Sequence, residues 1–252
     1  MTGSCQSGTK GERWRSSWTR SRHRFCIVIP YCEVQPSFIV PPGARLPSPE
    51  EVDEEGYGYF RNVWLIRPGV PLEEAASVLA WERQAVGLVD SLVDTAGAFD
   101  RAARVIEDFS PDEEELLVTP ADYPGLSQET CERLRIWLSL QTLSLGGLDL
   151  GIAGMVYALS ARGFFPVASC RGHADDSSWS LCPVVIFAGS TQRLGLLRRT
   201  VIRAGCSLGD ASGNGRGLVA VHGPSIGSMM MLAEMLLRMK LPQIEPAALD
   251  LM

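Results

Sequence analysis

The stretch from Phe164 to Phe187, FFPVASCRGHADDSSWSLCPVVIF, sets two apolar, strand-like runs on either side of a polar loop. FFPVAS (164–169) and CPVVIFAG (182–189) are short apolar runs bounded by turn-forming residues, so each reads as a strand. Upstream, LGIAGMVYALSARG (150–163) reads as a helix that Gly163 closes. Asp149 is expected to cap it, and Gly151 and Gly154 permit close backbone approach. Downstream, Ser190 caps the helical run TQRLGLLRRTVIRAG (191–205), which ends on Gly205. CSLGDASGNGRGLVAVHG (206–223) follows as two short strands around a Gly/Asn turn, and Pro224-Ser225 starts a last helix. The order α-β-β-α-β-β-α predicts an α+β fold, a mixed or antiparallel sheet with helices packed on one face.

The preceding half is mainly helical, with short strands. RFCIVIPYCEVQPSFIV (24–40) holds strand-like pieces broken by Pro30 and Pro36, and residues 41–58 form a Pro/Gly/acid linker. YFRNVWLI (59–66) reads as a further strand. Apolar spacing from Leu72 to Phe109 is helical, and its length predicts two helices with a break at Gly97 or within SLVDTAG (91–97). Ser110-Pro111 followed by acids is a helix-start signature. Another helix is expected from Ser127 to Leu145, stopped by Gly146. The expected layout is a basic arm over 1–24, a mainly helical region over 25–148, an α/β sandwich over 149–240 and a tail over 241–252.

Of the 252 residues 46% are hydrophobic and 21% charged, as in ordinary globular proteins. No apolar run reaches the roughly 18 residues that span a bilayer, so no membrane association is expected. Residues 1–24 carry a net charge of +5 and the whole chain −6, which leaves an acidic body of −11. That body disfavours broad nucleic-acid binding; a flexible arm or an upstream start codon accounts for the basic end. FCIVIPYC (25–32) is too short, and too early broken by Pro30, for a signal peptide. Without such a signal the seven cysteines are expected as reduced thiols in the cytoplasm.

The loop after the first strand is where chemistry is expected, because functional loops gather at strand ends. Cys170 with His173 is one candidate nucleophile and base, with Arg171 lowering the thiol pKa. Cys170, His173, Cys182 and Asp175 (or Asp176) form a candidate metal set, although its second half-site is incomplete. The third reading is an anion site: Arg171 offers a planar fork, the Gly172 backbone closes in, and Ser169 and His173 add donors. His222, at the end of a later strand, lines the same cleft if the two strands are neighbours. A polar structural turn is the alternative to all three, and no complete catalytic set is evident.

The block GIAGMVYALSARGFFPVASCRGH (151–173) resembles an uncharacterised bacterial protein group that carries an S-C-x-G-H turn. At Ser169, Cys170 and Gly172 the turn is also similar to the tRNA wybutosine-synthesis methyltransferases, whose strand ends in Ser-Cys-Ser-Gly-Arg. Arg171 stands in place of that family's middle serine, and His173 in place of its arginine. The resemblance implies a rim loop with a recognition role. Together these readings predict an intracellular bacterial protein whose 169–182 loop binds an anionic small molecule or RNA phosphate. The competing expectation is a non-catalytic interaction subunit whose helices over 71–145 dock a protein partner.

Overall fold

The computed structural model describes residues 32–48, 51–52, 56–57, 60–61, 69–111, 117–174 and 179–240. The basic arm, the tail, most of the 59–66 strand, the helix expected after Pro111, and Asp175 and Asp176 lie outside the described residues.

The chain is α+β. A two-residue hairpin pair, β1 (Gly56–Tyr57) and β2 (Phe60–Arg61), precedes three helices: α1 (Leu72–Leu92), α2 (Ala96–Glu107) and α3 (Gln128–Leu138). Then follow α4 (Ala153–Ala161), β3 (Phe165–Cys170), β4 (Val184–Ala188), α5 (Thr191–Leu196) and α6 (Arg198–Arg203). β5 (Ser207–Asp210), β6 (Leu218–His222) and α7 (Ile226–Arg238) complete the order expected from the sequence. The second sheet runs β3-β4-β6-β5 and every pair in it is antiparallel.

Side-chain alternation divides this sheet into two faces. Val185 and Phe187 of β4, Val219 and Val221 of β6 and Leu208 of β5 join the cluster that includes buried residues of all seven helices. Val184, Ile186, Ala188, Leu218 and Ala220 point to the opposite face, where Leu46 and Val52 pack on them. β4 is thus covered on both sides, which is why VVIFA is apolar throughout rather than alternating. The helices of the first half and the sheet of the second share one core, with α1 packed on α4 and α7.

The break between α1 and α2 falls at Val93–Thr95, inside the expected segment, and Thr95 caps α2 by accepting from the Ala98 N–H. α3 stops at Leu138, well short of Leu145. Tertiary contact is the reason: the Gln141 side chain accepts from the Trp81 indole N–H at 2.8 Å and donates to the Trp137 carbonyl at 3.0 Å. The run after Ser190 is two helices rather than one, because Leu197 N–H bonds Leu194 O and tightens the junction. Asp149 does not cap α4, whose N-cap residue, Ile152, makes no side-chain cap bond. The capping acceptor comes from another helix: Glu82 of α1 accepts the N–H groups of Gly151 at 2.8 Å and Gly154 at 3.0 Å. A Cβ at Gly154 would lie 2.6 Å from the Glu82 carboxylate, so glycine there lets α1 and α4 meet. No helix among the described residues is long and apolar enough to cross a membrane.

Candidate functional site

The polar loop leaves the sheet at the end of β3. Cys170, the last strand residue, is buried opposite Val184 of β4. Gly172 adopts φ +73°, and a Cβ there would stand 2.9 to 3.0 Å from the Cys182 backbone. The chain therefore turns back across the start of β4, and a larger residue would meet main chain that cannot swing aside.

Between them Arg171 points inward and is 2% exposed. Its Nε donates to Asp100 at 3.1 Å, its Nη1 donates to Glu107, and its Nη2 lies 3.2 Å from His173 Nδ1. Asp100 and Glu107 both belong to α2, one helical repeat of seven apart, so one face of that helix presents both carboxylates. The same acids also accept from backbone: Asp100 from the Ala174 N–H at 2.6 Å and Glu107 from the Leu150 N–H at 2.7 Å. The planar fork expected to face an anion thus holds α2 against the rim.

His173 and Asp149 occupy the more open side. Asp149 accepts from the Arg171 backbone N–H at 2.9 Å, and its Oδ2 lies 3.4 Å from His173 Nε2. The Asp149 carboxylate, then Cys170, lift the His173 pKa to about 9, against burial and the nearby Arg171 charge. A ring protonated at both nitrogens could not accept from Arg171 Nη2, so that contact belongs to the neutral ring with its proton on Nε2. One donor atom each from Asp149, Cys170 and His173 lies within 4.8 Å of the other two. Three carboxylates stand against one guanidinium and one imidazolium across this rim, a net negative charge that favours a cation over an anion.

The structure divides the residues singled out from the sequence. Cys170 and His173 come together, joined by Asp149. Ser169 is half-buried within β3, opposite Val185. Cys182 runs beside Gly172 but is not among those donors; its Sγ lies 3.6 Å from His222 Nδ1. His222 is not on a neighbour of β3, since β4 lies between β3 and β6, and burial lowers its pKa. Cys170, Val184 and His222 stand in one row across the three strands. Asp100, Glu107 and Glu82 were not evident from the sequence, although a repeat of seven in α2 and a carboxylate inside the apolar stripe of α1 were readable signals. Comparison of the chain with models of known protein families, with curated proteins and with solved structures finds no match.

Proposed function

We propose that the protein is a metal-dependent binding protein. Asp149, Cys170 and His173 hold a divalent cation at the end of β3, and the open position of that ion takes an anionic ligand, a nucleotide or RNA phosphate. The observation that carries this reading is the convergence of the three donor atoms within 4.8 Å. A thiolate, an imidazole and a carboxylate form a donor set suited to zinc, and three protein ligands leave a position for an exogenous group. With an ion on Nε2 the ring proton moves to Nδ1, so metal uptake must break the 3.2 Å contact with Arg171 Nη2 and turn the ring toward Asp100 Oδ1, now 3.9 Å away. The ion supplies the positive charge that Arg171, held by Asp100 and Glu107, does not offer outward.

Metal analysis of protein purified without chelator, and zinc titration of chelator-treated protein, test the reading. Stoichiometric zinc is expected, lost in His173→Ala and Cys170→Ser and kept in Cys182→Ser. Labelled nucleotide or short RNA is then bound by the zinc-loaded protein and released by chelator. Folded wild type that takes up no zinc would falsify the metal centre and leave the rim as a polar turn, with the interaction-subunit reading in its place.

A further inference from the structure

A second group of side chains lies along the same rim, apart from the three metal donors. Residues 181–183 and 222–224 run side by side, tied by the Gly223 N–H to Pro183 O at 2.8 Å. Cys32 lies across both: its N–H donates to Pro224 O at 3.0 Å and its Sγ donates to Leu181 O at 2.6 Å. Bond lengths place the Cys182 Cα about 2.8 Å from that carbonyl oxygen. Cys32 Sγ therefore stands within about 5.5 Å of the Cys182 Cα. The two Cα atoms therefore lie at most about 8 Å apart, and a bridge, whose Cα atoms stand roughly 4.4 to 6.8 Å apart, forms with a shift of the Cys32 segment of a few ångström at most. Cys182 Sγ also faces His222 Nδ1 at 3.6 Å, and both thiols are partly exposed, whereas Cys131, Cys170 and Cys206 are buried.

We infer that Cys182 and Cys32 form a peroxide-reactive thiol pair, with Cys182 as the attacking thiol, His222 as its base and Cys32 as the resolving thiol. His222 Nδ1 takes the Cys182 proton. The thiolate attacks one oxygen of a hydroperoxide; the O–O bond breaks and the sulfur becomes a sulfenic acid. The departing oxygen takes the proton from the imidazolium. Cys32 then attacks the sulfenic sulfur, the S–O bond breaks, and the hydroxide leaves as water with the Cys32 proton. With hydrogen peroxide as oxidant, the two thiols and one peroxide give one disulfide and two waters. The half-buried histidine suits this role, because desolvation lowers its pKa and so favours the neutral, proton-accepting form.

The inference does not depend on the metal centre, and peptide-level readout keeps the two distinguishable. Folded wild-type protein is exposed to a small excess of hydrogen peroxide, quenched by alkylation and digested for mass spectrometry. The expected product is a Cys32–Cys182 peptide pair lighter by two hydrogens, with Cys131 and Cys206 still alkylated as free thiols. In Cys32→Ser a sulfenic-acid probe labels Cys182, and in His222→Ala the rate of Cys182 loss falls about tenfold or more. Wild-type protein in which Cys182 stays alkylatable while buried cysteines oxidise overturns the proposal. So does Cys182→Ser protein whose Cys32 disappears at the wild-type rate.

Discussion

Among the described residues two acidic or basic side chains, Arg171 and Glu82, are buried, and they are accommodated by opposite means. Arg171, 2% exposed, is surrounded by carboxylates: Asp100 and Glu107 on its guanidinium and Asp149 on its backbone N–H. Glu82, fully buried, has backbone N–H groups at the start of α4 as its partners. A charge answered by opposite charges is stable only while every partner stays. A charge answered by dipoles can leave by taking up a proton. Burial accordingly raises the Glu82 pKa to about 7, with the N–H groups of Gly154, Gly151 and Ala153 opposing that rise. Among the described residues no buried polar side-chain atom is left without a hydrogen-bond partner. Both solutions are therefore complete, and they differ in how they fail.

The largest effect is expected at the ion cluster. Arg171→Met removes one member and strands two largely buried carboxylates, for a loss of about 3 to 5 kcal/mol in denaturant-unfolding stability. A loss below about 1 kcal/mol would show that the cluster is wet and the contrast overstated. Glu82 is expected to produce a pH dependence instead. Its folded pKa lies above the ordinary 4.5, so its contribution to stability is complete below about pH 4.5. The contribution declines as pH rises and is lost by about pH 7, a change on the order of 3 kcal/mol. Glu82→Gln cannot ionise, so the stability gap between wild type and variant should shrink from pH 5 to pH 7.5. A constant gap would mean that the carboxyl is ionised throughout. Gly172→Ala is the smallest of the three, costing about 1 to 3 kcal/mol from its φ of +73° and the approach to Cys182. Thermal unfolding measures it, and an unchanged midpoint would show that the rim shifts freely.

Periodicity and turn chemistry made the second half of the chain legible, because each strand and helix there is bounded by its own capping serine or closing glycine. Ser190 and Ser225 each accept from a backbone N–H in the first turn of the helix they precede, as Ser127 does in the first half. The rim loop was also legible as a place, since a polar cluster between two apolar runs must sit at a sheet edge. Its wiring was not. Arg171 looks like an exposed cation because its partners are ordinary helix acids, 71 and 64 residues away in sequence. Asp149 looks like a cap because it stands before a helix, and nothing local says that Glu82 fills that role from another helix. Long-range pairing leaves a trace only as a charge in an unexpected place on a helix face.

The two edges of the four-stranded sheet, β5 and β3, are finished by different devices. Beside β5, the chain bonds Leu208 on both sides: Leu208 N–H to Ser37 O at 3.0 Å and Ile39 N–H to Leu208 O at 2.9 Å. At the other edge, β3 carries Pro166, which has no N–H to offer, and an irregular register between Pro166 and Ala168. An open ladder is a template for pairing with another chain, and a prolyl ring or a bulge spoils the template. The segment around Phe38 therefore acts as a selvedge, taking up the Leu208 ladder bonds that an added strand would need.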